Sequence, residues 1–196
     1  MAIIRVSGNV GSGKTTLCKR FAEEFSYRYH YTGQIFREMA EEKGLSLEEF
    51  YQQIQNDPEL EKSIDIKQMH LMLGVDNIIV QGRMAPFLPP FNNLDSSFRV
   101  APRVVNVFVA VSQTEGALRQ LNRPENSGKT LDEMIALSSQ RMETERQRLS
   151  SLWGVPDCFD KSKFQIFLDT TAITIDQAYY IFSESIKSFN PPVKKY

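Results

Sequence analysis

The residues best placed to do chemistry come first in the chain, at Gly8-Asn9-Val10-Gly11-Ser12-Gly13-Lys14-Thr15. Glycines in this spacing let consecutive backbone N–H groups turn inward and form a nest for an anion. Lys14 adds a point charge for outer phosphates, and the Thr15 hydroxyl is a candidate Mg²⁺ ligand. Thr16 and the residues after it read as a helix whose positive dipole end faces the same point. The segment satisfies the pattern G-x-x-x-x-G-K-[ST], and the β-branched run at 2–7 supplies the strand that the pattern needs before it. Residues 8–16 are therefore expected to bind a nucleoside triphosphate. A second Gly-Lys-Thr at 128–130 fails the same test. Arg123 stands where the leading glycine should be and no strand precedes it, so it reads as the N-terminal turn of a helix.

A phosphate loop alone does not choose a reaction. There is no Asn-Lys-x-Asp motif to read guanine, and 196 residues are few for a motor or transporter. Transfer to a small anionic acceptor remains, and it requires arginines, because such catalysis is mainly positioning and charge neutralisation. Arg37, in Gly33-Gln34-Ile35-Phe36-Arg37, falls one turn into a helix that follows the second strand. Arg83, in Gln81-Gly82-Arg83, lies just past the carboxyl end of another strand, where ligands of open α/β sheets bind. Arg141, Glu145 and Arg148 recur at i, i+4 and i+7 of a long helical pattern and share one face, while Arg146 points elsewhere.

The elements that must position these groups alternate. Short apolar runs at 2–7, 27–31, 77–80, 104–111 and 164–168 are separated by helical patterns, including one that Ser46 and Glu49 open as a capping box. Alternation predicts an α/β fold, a parallel five-stranded sheet with helices on both faces. At 22.5 kDa the chain makes one domain with a substantial core. Twenty-three basic and 24 acidic residues exclude a global attraction to nucleic acid or to an anionic membrane. Cys18 and Cys158 are too few for a disulfide scaffold and read as small buried hydrophobes of a reducing compartment. No signal-peptide pattern and no apolar stretch of membrane-spanning length occurs, so a cytoplasmic protein is expected. His30 and His70 read as structural, the segment 85–93 as a proline-rich loop, and the tail from Ser188 as a frayed end.

Taken together, TGQIFRE, GLSLEEF, DPELEKSID, IIVQGR, the RMETERQR cluster and LDTTAITIDQA resemble cytidylate kinase, in its compact archaeal-type version, in order and over nearly the whole chain. The resemblance implies a nucleoside monophosphate kinase fold with an acceptor-binding region at about 33–76 and a lid at about 115–150. It implies transfer of the ATP γ-phosphoryl group to CMP or dCMP with Mg²⁺, by a monomer whose partners are small nucleotides. Carried over, Arg37 and Arg83 grip the acceptor phosphate, Arg141 and Arg148 flank the transferring group with Lys14, Glu145 faces the acceptor base, and Arg119 lies near the donor nucleotide. Four positions depart from the pattern. Gln81 stands where an acidic residue is expected, Gly116 where a lid arginine is common, and Met142 and Gln165 where acidic residues are frequent. These departures leave open a same-fold kinase of another nucleotide or small anionic metabolite, or a nucleotide-binding regulator of weak activity.

Overall fold

The computed structural model describes residues 2–72, 77–88 and 103–189. Strand β1 (Ala2–Gly8) leads through the glycine-rich turn into α1 (Lys14–Phe25), followed by β2 (Arg28–Tyr31), α2 (Thr32–Glu42), α3 (Leu47–Asn56) and α4 (Pro58–Met72). Then come β3 (Ile78–Gln81), β4 (Arg103–Ala110), α5 (Gln113–Leu121), α6 (Leu131–Trp153), β5 (Ile166–Asp169) and α7 (Ile175–Phe189). The strands form one sheet in the order β2-β3-β1-β4-β5, and every pairing is parallel. The order reverses beside β1, so the crevice at the carboxyl ends of the strands opens at the phosphate loop.

Every residue of β1 is buried, as expected for a central strand covered on both faces. On one face Ile4, Val6, Val107, Val109, Ile166 and Leu168 pack with Leu17 and Phe21 of α1 and Phe182 of α7. On the other, Ile3, Ile78 and Val80 meet Met72 of α4 and Leu149 of α6. A separate cluster joins α2, α3 and α4 through Ile35, Met39, Phe50 and Ile64. Arg5 breaks the apolar run of β1; its Nη1 donates to the Leu88 carbonyl at 3.0 Å.

Helix boundaries follow side-chain chemistry. Ser46 and Glu49 form the expected capping box on α3, and Thr130 with Glu133 forms another on α6, so the second Gly-Lys-Thr is indeed a helix start. Several edges differ from the sequence reading by one or two residues. Asn77 precedes β3 in the left-handed region, and β5 starts at Ile166 because Phe164 ends the turn Lys161–Lys163. Cys18 and Cys158 are buried free thiols, and His70 is exposed on α4. Of the proline-rich segment 85–93 only 85–88, and of the tail only 188–189, fall within the described residues. Among the described residues, no helix is long and apolar enough to cross a membrane.

Candidate active site

The phosphate loop is shaped by contacts that tolerate no side chain. Gly8 and Gly11 take φ of 147° and 79°. A Cβ on Gly8 would lie 2.0 Å from the Val109 carbonyl oxygen, and one on Gly11 would lie 2.3 Å from that of Gly116. Gly116 is itself buried against Val10, where an added Cβ would meet the Val10 carbonyl oxygen at 2.8 Å. This explains the departure at Gly116: α5 packs directly on the loop, and an arginine at 116 has no room.

Lys14 folds back over the loop that it serves. Its Nζ donates to the Gly8 carbonyl at 3.1 Å, to Ser12 Oγ at 3.2 Å and to the Asn9 carbonyl. Burial lowers the Lys14 ammonium to about 7, and repulsion from Arg83, Arg141 and Arg123 adds to the effect, with Cys18 opposing it. Arg83 Nη1 reaches the same Gly8 carbonyl at 2.9 Å, with its guanidinium over the Phe159 ring. Burial also lowers Arg83, which feels Glu145 as an attraction and Arg141 and Arg148 as repulsions. The stripe predicted on α6 thus lies within electrostatic reach of Arg83, and of its cations Arg141 also acts on Lys14.

Of the other predicted residues, Arg37, Arg119 and Arg148 are individually anchored. Arg37 is exposed on α2; its Nη1 donates to the Tyr31 hydroxyl at 2.6 Å and to the Gly33 carbonyl at 3.2 Å. Arg119 pairs with Glu115 at 2.8 Å and donates to Thr170 Oγ1 at 3.0 Å and to its carbonyl at 2.6 Å. Thr170 Oγ1 in turn contacts the Ser12 carbonyl at 3.2 Å, so Arg119 is tied to the loop's flank. Arg141 is exposed and, among the described residues, makes no ion pair. Arg148 is paired with Glu61 at 2.9 Å and with Glu145 at 3.3 Å. Arg146, expected to point elsewhere, pairs with Glu143 and Asp157 but lies over the same Phe159 ring as Arg83 and lines a cavity with Asn9 and Val10 of the loop.

Gln81 faces the loop. Its Nε2 donates to Thr15 Oγ1 at 3.2 Å, while its Oε1 accepts from the Tyr29 hydroxyl at 2.7 Å. The neutral amide therefore occupies the place beside Thr15 that a carboxylate would take. Met142 and Gln165 have intramolecular partners as well. Asn9 Nδ2 contacts the Met142 sulfur at 3.7 Å, and Gln165 Oε1 accepts from the Asn106 backbone N–H at 2.7 Å. Sequence reasoning missed Tyr29, Thr170, Glu61, Asp65 and Trp153. The Glu61–Asp65 spacing of i, i+4 in DPELEKSID was a usable signal for the third and fourth.

A parallel sheet with a phosphate loop at its reversal point and arginines gathered above it defines a P-loop phosphotransferase. A family model described as an AAA domain matches residues 7–137. Cytidylate kinase of Pyrococcus furiosus is 30% identical over 193 residues, covering 96% of this chain and 90% of that protein. Cytidylate kinase of Desulfurococcus amylolyticus is 31% identical over 188 residues, covering 95% and 93%. Among solved structures, shikimate kinase of Bacteroides thetaiotaomicron shares the fold with a TM-score of 0.58 at 18% identity, covering 95% of this chain and 98% of that one. The chain belongs to the cytidylate kinase family.

Proposed function

We propose that this chain transfers the γ-phosphoryl group of ATP to CMP or dCMP, giving ADP and CDP or dCDP. The observation that carries the reading is that Lys14 and Arg83 meet at the Gly8 carbonyl, within electrostatic reach of the α6 stripe, in a chain of this family. The acceptor phosphate has a second pKa near 6, so its nucleophilic oxygen is already anionic and no general base is needed. Residues 8–16 hold the donor phosphates, and Arg119 lies toward the donor nucleotide. Arg37 and Arg83 grip the acceptor phosphate. Arg141 and Arg148 neutralise charge on the moving group, for which Arg148 must loosen its hold on Glu61.

Glu145 accepts from the exocyclic amine of cytosine, where uracil offers a carbonyl. An unpaired buried polar group costs about 1–3 kcal/mol, enough to discriminate between the two bases. Residues at about 33–76 form the acceptor-binding region and those at about 115–150 the lid. Buried free thiols at Cys18 and Cys158 suit a cytoplasmic enzyme, and we read it as a monomer.

Among the described residues, no group of three or more His, Cys, Asp or Glu side chains could hold a metal ion. With the Thr15 hydroxyl as the nearest oxygen and an amide N–H beside it, the donor set fits Mg²⁺ carried in by the nucleotide rather than stored by the protein. Bound there, the ion would neutralise phosphate charge. ADP release measured with CMP, dCMP, UMP, AMP and GMP as acceptors tests the reading. Stimulation by CMP and dCMP above the others is expected, and stimulation by none of them refutes it.

A further inference from the structure

Between α4 and α6 the structure gathers three carboxylates around one guanidinium. Arg148 Nη1 donates to Glu61 at 2.9 Å, and its Nε and Nη2 reach Glu145 Oε2 at 3.4 and 3.3 Å. Asp65 Oδ2 lies 4.0 Å from the same Nη1 and accepts the Trp153 indole N–H at 2.9 Å. Three anions on one cation leave an excess of two negative charges when all are ionised. Asp65 bears the strain. Burial pushes its carboxyl up to about 6, Arg148 and the Trp153 N–H act to lower it, and Glu61 and Glu145 raise it further.

The three acids differ in access. The Glu61 and Glu145 side chains are 17% and 23% exposed, whereas that of Asp65 is 4% exposed. A ligand can compete with the partly exposed Glu61 and Glu145 for Arg148, whereas Asp65 is closed to solvent. The Trp153 indole, at the last residue of α6, holds Asp65 in place. A fixed charge behind a mobile guanidinium does what a substrate-exchanged partner cannot: it keeps the group aimed while its outer N–H groups change partners.

We propose that Asp65, anchored by Trp153, is a positioning residue that holds Arg148 toward the acceptor while Arg148 exchanges Glu61 for the incoming nucleotide. The inference rests on the acceptor reading given above for Arg148. It requires the charge of Asp65 and not merely its shape; a purely structural link between α4 and α6 would be served as well by an amide.

The chain has one tryptophan, so its indole N–H resonance is unambiguous. In the wild type that resonance should titrate with a midpoint near 6, and Arg148→Gln should move the midpoint upward by removing the attraction that lowers it. In parallel, kcat/KM for CMP is measured from pH 5 to pH 8 in wild type and in Asp65→Asn. Titration of the acceptor phosphate is common to both and cancels in the ratio. The wild-type advantage should be about tenfold at pH 8, chiefly in KM, and should shrink toward one at pH 5, where Asp65 is protonated. Trp153→Phe keeps the carboxylate but removes its anchor, and should move the acidic limb to higher pH. A ratio that is near one at pH 8, or that does not change with pH, overturns the proposal. If the wild type shows no CMP-dependent turnover, the acceptor reading itself falls. The indole titration then decides the coupling, and an unmoved midpoint in Arg148→Gln overturns it.

Discussion

The proposed donor and acceptor sides of the crevice are built in different ways. On the donor side, phosphate recognition is written into eight consecutive residues, and their geometry is enforced by backbone approaches such as Gly8 to Val109 and Gly11 to Gly116. On the proposed acceptor side, the charged groups come from α2, the turn after β3, α4 and α6, and side chains hold them: Tyr31 holds Arg37, and Glu61 and Glu145 hold Arg148. A phosphate is the same in every nucleotide, so a rigid backbone nest suffices for it. An acceptor must be distinguished from its neighbours, and exchangeable side-chain pairs provide that at the cost of needing support from behind.

The largest effect should come from breaking the donor side. Lys14→Ala removes the charge aimed at the outer phosphates without removing core packing, and should lower kcat by about a thousandfold with the melting temperature nearly unchanged. Turnover within tenfold of wild type in the folded variant would separate the phosphate loop from catalysis.

Next come the arginines of the acceptor side. Arg83→Ala and Arg37→Ala should act mainly on the KM of CMP, about a hundredfold for buried Arg83 and about tenfold for exposed Arg37. Arg141→Ala should act mainly on kcat, because its charge is needed only as the phosphoryl group moves. Steady-state kinetics in which all three lower kcat alone would erase the division between gripping and transferring residues.

A smaller effect separates the two sides by pH. Burial and the neighbouring arginines lower the Lys14 ammonium from its ordinary range to about 7, so loss of its proton in the free protein is expected as pH rises toward 8. Phosphate binding favours the charged form and must raise that value, so ATP binding should take up close to one proton at pH 8 and almost none at pH 6. Affinity for ATP then falls as pH rises above 7. Titration calorimetry at pH 8 in Tris and in HEPES reads the uptake as a difference in apparent enthalpy. Equal enthalpies in the two buffers would show that Lys14 is already charged in the free protein.

The smallest effect concerns Gln81, which lies where the two sides meet. Its amide donates to Thr15 Oγ1 at 3.2 Å, so Gln81→Asp would place a carboxylate beside the hydroxyl. The half-saturating Mg²⁺ concentration at fixed ATP and CMP should fall severalfold. An unchanged value in an equally stable variant would remove residue 81 from the metal's surroundings.

How much of this was legible follows the same division. The phosphate loop, the sheet, the capping box at Ser46 and the shared face of Arg141, Glu145 and Arg148 are encoded over a few residues or one helical period, and all appear in the structure. The support behind them is not. Trp153 and Asp65 are 88 positions apart, and only the packing of α4 on α6 brings them together. Gly116 looked like a lost arginine because its sequence neighbours do not reveal that Val10 and Gly11 press against it. Gln81 read as a lost carboxylate, and its pairing with Tyr29 depends on β2 and β3, separated by three helices in the chain, being neighbours in the sheet.

The central claim is direct transfer from ATP to a cytidine nucleotide, and a competition reports it without intermediaries. ATP labelled at the γ-phosphate is incubated with the wild-type protein, Mg²⁺ and equal concentrations of CMP and UMP, and the labelled products are separated. The account predicts label in CDP at least tenfold above label in UDP, with little inorganic phosphate. Label released only as inorganic phosphate, or carried mainly by UDP, would contradict it.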